Sequence, residues 1–319
     1  MKVINSLREG NDYKRICLAL GNFDGVHLGH QQLIKAIINK SKEYNGIPAV
    51  LTFSPHPATV INPSAAPKKI ITEQRKLIIL TSLGVQLVIQ LPFTQEFARL
   101  NPNQFIDELN KQLDLFHIVV GFNYTFGRGG KGNWKLLKQL APELDYSLEI
   151  IPPIKIENTV ISSTTIREAL LQGNINNARK FLGWAPVLEG IVVSGNQLGR
   201  TLGFPTANLK AQEDVLMPKN GVYLVLAKIE HKEFFGVLNI GKRPTLTTTE
   251  HPIPEVYIFN FNENIYGKKL EVHLLEHIRD EIKFKSKDDL VRQIAIDCEA
   301  ANNMINMKYN ENRNIPSLG

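Results

Sequence analysis

The sequence predicts an α/β domain with a mainly parallel sheet, followed by an antiparallel β barrel and one long closing helix. Three observations predict this. The chain has 319 residues, enough for about two domains of roughly 150 residues each. In its first half, short β-branched runs alternate with helical patterns, which builds a parallel sheet covered on both faces. After Gly183, strand-like runs succeed one another without helices between them. The boundary falls near Gly183–Val187, giving domains 1–184 and 185–319.

In chain order, Ile16–Phe23, Ile47–Phe53, Gln86–Leu91, His117–Phe122 and Leu148–Ile151 read as buried strands. Leu28–Glu43 is a helix with Leu33, Ile34, Ile37 and Ile38 on one face. Glu73–Leu83 follows Thr72, a good N-cap. Asn101 caps Pro102–Leu113, with Pro at the favoured first position. Ser162–Leu171 is a helix with Gly173 past its end, and Asn174–Leu182 is a short one stopped by Gly183. Gly190–Val193, Gly221–Ile229, Glu233–Ile240, Glu255–Asn262 and Lys269–His277 are strand-like, with His231–Lys232 as a hairpin turn. Ser286 opens the last helix, where Leu290, Ile294, Cys298 and Ala301 recur at helical spacing.

Hydrophobic residues make up 43% and charged residues 21%, which excludes a disordered or fibrous chain. The net charge of +6 is uneven. Residues 1–183 hold 21 basic and 14 acidic side chains, and residues 184–319 hold 16 and 17. A basic half suits nucleic acid or a phosphate-rich small ligand. The scattered Lys and Arg, with no run beyond two, favour the small ligand and no nucleic acid. Arg128–Gly132 (RGGKG) is a single glycine-rich loop rather than an RNA-binding repeat. No apolar stretch approaches the roughly 20 residues that span a bilayer, and the N-terminus lacks the apolar centre of a secretory signal. Cys17 and Cys298 fit no zinc spacing and are expected to be reduced. A cytoplasmic protein with no membrane partner is expected.

Gly21-Asn-Phe-Asp-Gly-Val-His-Leu-Gly-His30 follows the first strand and opens the first helix, where α/β sheets place ligands. His27 and His30 are three apart, so one helical turn can aim both at a single point. Two imidazole donors there suit charge developing on a phosphate. Taken alone, the pair reads equally well as a turn with two surface histidines. Ile161-Ser-Ser-Thr-Thr-Ile-Arg167 opens another helix and offers hydroxyls, N–H groups and a forked cation. Thr52-Phe-Ser-Pro-His-Pro57 ends the second strand.

His27-x-Gly29-His30 with Ser162-Ser-Thr-x-Ile-Arg167 resembles the nucleotidylyltransferase superfamily. More narrowly, GNFDGVHLGH, TFSPHP, FARLNPNQFI, VVGFNYTFG and ISSTTIR, in that order over 16–183, resemble the N-terminal module of bacterial bifunctional riboflavin kinase/FAD synthetases. The resemblance implies a Rossmann-like nucleotidylyltransferase domain that transfers AMP from ATP to FMN, giving FAD and pyrophosphate. It implies catalytic roles for His27, His30 and Arg167. It implies ligand-binding roles for Gly21, Phe23, Asp24, Gly29, Asn123, Ser162, Ser163 and Thr164. Asn123 and Thr165 depart from the Asp and the basic residue that relatives often carry there. The attacking group is a phosphate oxygen, already ionised, so this site needs alignment and charge neutralisation rather than a strong base.

In the second half, glycines at 195, 199 and 203 with Arg200 form an arch suited to phosphates. Thr206 and Asn208 alternate on an extended segment and so face one side, as hard oxygen ligands or as satisfied turn residues. Glu255 heads a strand, where an acid is solvated or accepts a proton from an alcohol. GRTLGFPTANL, GVY, GVLNIGKRPT, EVYIFNFNENIYGKKLEV and FKSKDDLVRQIAIDC, over roughly 188–300, resemble riboflavin kinase. That resemblance implies a six-stranded antiparallel barrel with a C-terminal helix. It gives Thr206 and Asn208 to magnesium, Glu255 to the base, and Gly195, Gly199, Arg200, Gly203 and Pro205 to the bound nucleotide. Tyr257 stands where relatives often have His. The expected enzyme converts riboflavin to FMN and FMN to FAD with ATP. Two other readings are a kinase with an idle or differently specific nucleotidyl domain, and a flavin-binding regulator without turnover.

Overall fold

A computed structural model describes residues 1–195, 199, 202–241 and 253–309. Its contacts divide the chain into two compact units. One comprises Met1–Lys68 and Glu73–Ser162; the other comprises Lys69–Thr72 and the chain from Ser163 on.

The first unit is built on a six-stranded sheet: β1 (Lys2–Ile4), β2 (Ile16–Leu20), β3 (Ile47–Ser54), β4 (Leu87–Pro92), β5 (Leu115–Gly121) and β6 (Ser147–Ile151). Its order is β1-β4-β3-β2-β5-β6, and every neighbouring pair is parallel. All five residues of β2 are buried, as expected for a strand covered on both faces. The helices are α1 (Leu28–Tyr44), α2 (Pro57–Ile61), α3 (Glu73–Ser82), α4 (Pro102–Gln112) and α5 (Trp134–Leu140). Asn101 and Gln104 form a full capping box on α4. The core joins Leu18, Leu20, Leu51, Ile89, Ile106 and Ile118.

The order places β3 on one side of β2 and β5 on the other. The carboxyl end of β2 is therefore the switch point of the sheet, where open α/β folds hold ligands. The sequence expectation ran this strand to Phe23. The structure ends it at Leu20, because Gly21 begins a turn in which Phe23 has φ 52°. The short edge strand β1 was not foreseen.

The second unit begins with α6 (Ser163–Leu171) and α7 (Ile175–Leu182), followed by a closed barrel. The barrel strands are β7 (Val187–Val193), β8 (Thr206–Ala211), β9 (Gly221–Ile229), β10 (Lys232–Gly241), β11 (Ile253–Ile258) and β12 (Lys269–Asp280). They close in the order β7-β8-β11-β10-β9-β12, all antiparallel. Tyr223, Val225, Leu238, Val256 and Leu274 are buried on the inward face. Val222, Leu224, Leu226 and Val237 point outward, against Ala301, Ile305 and Tyr309 at the end of α8 (Lys287–Lys308). Ser286 caps α8, accepting the Asp289 N–H at 3.1 Å. Arg279 on β12 grips Asp297 of α8 through two bonds of 2.8 and 2.7 Å.

The extended segment expected around Thr206 and Asn208 is a full strand, Thr206–Ala211. Two local expectations are corrected. The β9–β10 turn is Glu230–His231, with Glu230 at φ 56°, and Lys232 already lies in the strand. The run EVYIFNFN ends its strand at Ile258, so Glu255 lies inside β11, with a strand on each side, rather than at its head. Both cysteines are free thiols, as expected.

Candidate active sites

The turn from Gly21 to His30 is held by its own backbone and by neighbouring strands. Gly21 N–H donates to Leu51 O, and Thr52 Oγ1 donates to Asn22 O at 3.1 Å. Phe23, Gly25 and Val26 all have positive φ, at 52°, 80° and 37°. A β-branched residue rarely adopts that conformation, so the surroundings enforce it. Gln31 Nε2 donates to Val26 O at 2.9 Å. Phe23 is fully buried, and Asp24 and His27 are nearly so.

His27 is the N-cap of α1. Its Nδ1 accepts the His30 N–H at 3.3 Å, which leaves the proton of the neutral ring on Nε2. The two imidazoles stack with centroids 3.7 Å apart and planes 20° from parallel, and Phe23 lies 5.0 Å from His30. Gly29 has a local reason to be glycine: a Cβ there would lie 3.1 Å from the His27 ring. Among the described residues, His30 Nδ1 is buried without a hydrogen-bond partner. Burial, then His27 and Lys76, push His30 well below the usual histidine range. At neutral pH it is therefore an uncharged imidazole, so it offers hydrogen bonds rather than a standing positive charge.

Around the same strand ends sits an aromatic chain that the sequence reading did not single out. Phe53, Phe93 and Phe97 lie 5.2–5.5 Å apart, and the contacts continue to Phe105 and Phe126. Phe122 is exposed after β5, next to Asn123, which is also exposed. The signal was present as FARLNPNQFI and GFNYTFG, but aromatics at such spacing read first as core.

Ser163, Thr164 and Arg167 lie on α6, which clusters with the second unit, whereas Ser162 clusters with the first. Thr164 is exposed and Arg167 half-buried.

In the barrel, β8 and β11 place Asn208 directly opposite Glu255, and Thr206 opposite Tyr257. Asn239 of β10 is opposite Glu255 on its other side. Cross-strand partners share a face, so Thr206, Asn208, Glu255 and Asn239 all point outward from the barrel. Asn239 is the member that sequence reasoning left without a role, although the motif NIG contained it.

Gly195 and Gly199 lie close against this row. A Cβ at Gly195 would lie 2.6 Å from Asn208 Cγ, and one at Gly199 would lie 3.2 Å from Thr206 Oγ1. Phe204 N–H donates to Gly199 O at 2.8 Å. Gly203 has φ 86°, which glycine alone adopts freely. Arg200 and the GKRPT residues from 242 on lie outside the described residues. Beside Pro205 and Thr206 opens a cleft of about 490 Å³, walled by Val192, Val256, Ile258, Phe261, Ile265 and Tyr266. A hydroxyl, an amide oxygen and a backbone that only glycine can bring so near are a donor set that fits magnesium.

Comparison with known proteins decides the family. The sequence model of the FAD synthetase family matches residues 10–165, and that of the riboflavin kinase family matches residues 182–305. A bifunctional riboflavin kinase/FMN adenylyltransferase of Haemophilus influenzae is 37% identical, covering 96% of this chain and 100% of its own. One of Bacillus subtilis is also 37% identical, over 89% of this chain and 90% of its own. The chain belongs to the bifunctional riboflavin kinase/FMN adenylyltransferase family. It is an enzyme of flavin cofactor synthesis with both activities. A crystal structure from Streptococcus pneumoniae, described as a macrolide-efflux protein, superposes with a TM-score of 0.85 at 35% identity, over 95% of this chain and 98% of its own. In the present chain no helix among the described residues is long and apolar enough to cross a membrane.

Proposed function

We propose that the two reactions use two chemically distinct sites, with the residues assigned as follows. In the kinase, Glu255 accepts the proton of the riboflavin hydroxyl as it attacks the terminal phosphate of ATP. An alcohol, unlike a phosphate, must lose its proton in that step, so a carboxylate beside the phosphate site has work to do. Thr206 and Asn208 hold magnesium, which when bound draws charge from the ATP phosphates. Gly195, Gly199, Arg200, Gly203 and Pro205 shape the phosphate arch. The cleft beside Pro205 and Thr206 suits a flat aromatic ring with polar edges, because aliphatic and aromatic walls stand beside Asn262, Glu263 and Asn264.

In the adenylyltransferase, His27 and His30 donate hydrogen bonds to the phosphates, and Arg167 supplies fixed charge. Gly21, Phe23, Asp24, Gly29, Asn123, Ser162, Ser163 and Thr164 line the bound ATP and FMN. The aromatic chain around Phe53, Phe93 and Phe97 gives the flavin ring a surface to lie on. The functional division follows 1–184 and 185–319, and the enzyme works in the cytoplasm, where ATP and flavin are available.

The observation that carries the kinase assignment is the pairing of Glu255 with Asn208 across two strands, with Gly195 packed against Asn208. Incubation with riboflavin, ATP and magnesium, followed by chromatographic separation of the flavins, tests the whole reading. FMN followed by FAD supports it. FMN alone would leave the first site without its reaction, and unchanged riboflavin would overturn the kinase assignment.

A further inference from the structure

Lys76 lies on α3, outside every motif above. It is only 4% exposed, unusual for a lysine unless it is paired. Its Nζ lies 2.8 Å from Glu73 Oε2 one turn back, and Gln90 Nε2 of β4 donates to that same oxygen at 3.1 Å. The free side of the ammonium points elsewhere: Nζ donates to Asn22 O at 3.4 Å. Asn22 O is the carbonyl that Thr52 also holds, at the start of the strained turn ending in His27 and His30. A buried cation thus ends on the backbone of the histidine turn.

We propose that Lys76 is a positioning residue for adenylyl transfer: its ammonium pins the Asn22 carbonyl and sets the charge field in which His30 works. The inference rests on the assignment of His30 to that reaction. The groups set against the His30 ring are His27 stacked upon it, Phe23 tilted beside it, and the charge of Lys76 from α3, whose ammonium Glu73 pairs. Lys76 adds to burial and to His27 in disfavouring the charged imidazole. A neutral His30 admits ATP phosphates as a hydrogen-bonding partner and becomes easier to protonate once they arrive, because anions favour the charged form.

The test uses the full-length enzyme with histidine isotope labels, His30 being identified by its loss in His30→Gln. Lys76→Met should lower kcat for FMN adenylylation about tenfold, with KM for ATP changed less than about twofold. It should raise the His30 titration midpoint. Riboflavin phosphorylation, in the other unit, should remain. Lys76→Arg should restore both the rate and the midpoint. Glu73→Gln should move the midpoint down, since it leaves Lys76 uncompensated, and it decides the matter if Lys76→Met does not fold. A midpoint unmoved in Lys76→Met, or in Glu73→Gln where the former cannot be made, overturns the proposal even if the rate falls. If instead His30→Gln adenylylates FMN normally, it is the assignment of His30 that fails.

Discussion

Asn208 and Glu255, far apart in the sequence, are direct cross-strand partners on the outer face of the barrel. The antiparallel register alone puts an amide and a carboxylate side by side, with Gly195 so close to Asn208 that a Cβ there would clash with it. Glu255→Gln keeps the shape and removes the carboxylate proposed as the base. Riboflavin phosphorylation should fall by about 10²–10⁴-fold, the usual worth of a general base, with KM for ATP little changed. Steady-state kinetics with riboflavin and ATP check this.

Gly195→Ala puts a methyl group 2.6 Å from Asn208 Cγ. Either the arch or Asn208 must shift. Phosphorylation should drop about 10–100-fold, a cost in keeping with displacing a positioned ligand by an ångström. The concentration of magnesium needed for half-maximal rate should rise, and FMN adenylylation should be unaffected.

Most of the architecture was legible because it rests on burial. The runs ICLAL and GVYLVLAKI are continuous and apolar, and each is a strand buried on both faces. Asn101–Pro102–Gln104 announced a helix start that the capping box realises. In the sequence Thr206–Ala211 reads only as an extended segment, without strand bounds, because TANLKA carries the polar Thr206, Asn208 and Lys210 on its outward face and lacks a continuous apolar run. Lys76 escaped for a related reason: a lysine in a helix normally marks the solvated face, and only the packed structure shows it buried beside the histidine turn. The opposition of Asn208 and Glu255 depends on register, which no local pattern encodes.

Three histidines, His30, His117 and His277, are held below the usual value of 6.5, in each case chiefly by burial. His117 also lies 2.7 Å from Ser147 Oγ and near Glu149. Below that pH the unfolded chain binds protons that the folded chain refuses. Stability should therefore be full above about 6.5 and fall as pH drops, by at most about 1.4 kcal/mol per pH unit for each site. Urea unfolding from pH 7.5 to 5 should show this slope, and His117→Gln should flatten it.

Arg279 and Asp297 fasten β12 to α8, and Asp297 is only 3% exposed. Gln293 donates to the same carboxylate at 3.0 Å. Arg279→Met strands a buried charge and should destabilise the second unit by about 3 kcal/mol. Arg279→Met with Asp297→Leu should recover much of that loss, because no unpaired charge remains. Chemical denaturation of the single and double variants reads both effects.

The central claim is that one pocket deprotonates an alcohol while another aligns a phosphate that is already ionised. The most direct measurement gives Glu255→Gln and His30→Ala each of the two acceptors, riboflavin and FMN, with ATP and magnesium, and quantifies the flavin products. Glu255→Gln should fail on riboflavin yet convert FMN to FAD; His30→Ala should make FMN from riboflavin and stop there. Loss of both conversions from either single substitution, in protein shown to be folded, would contradict the account.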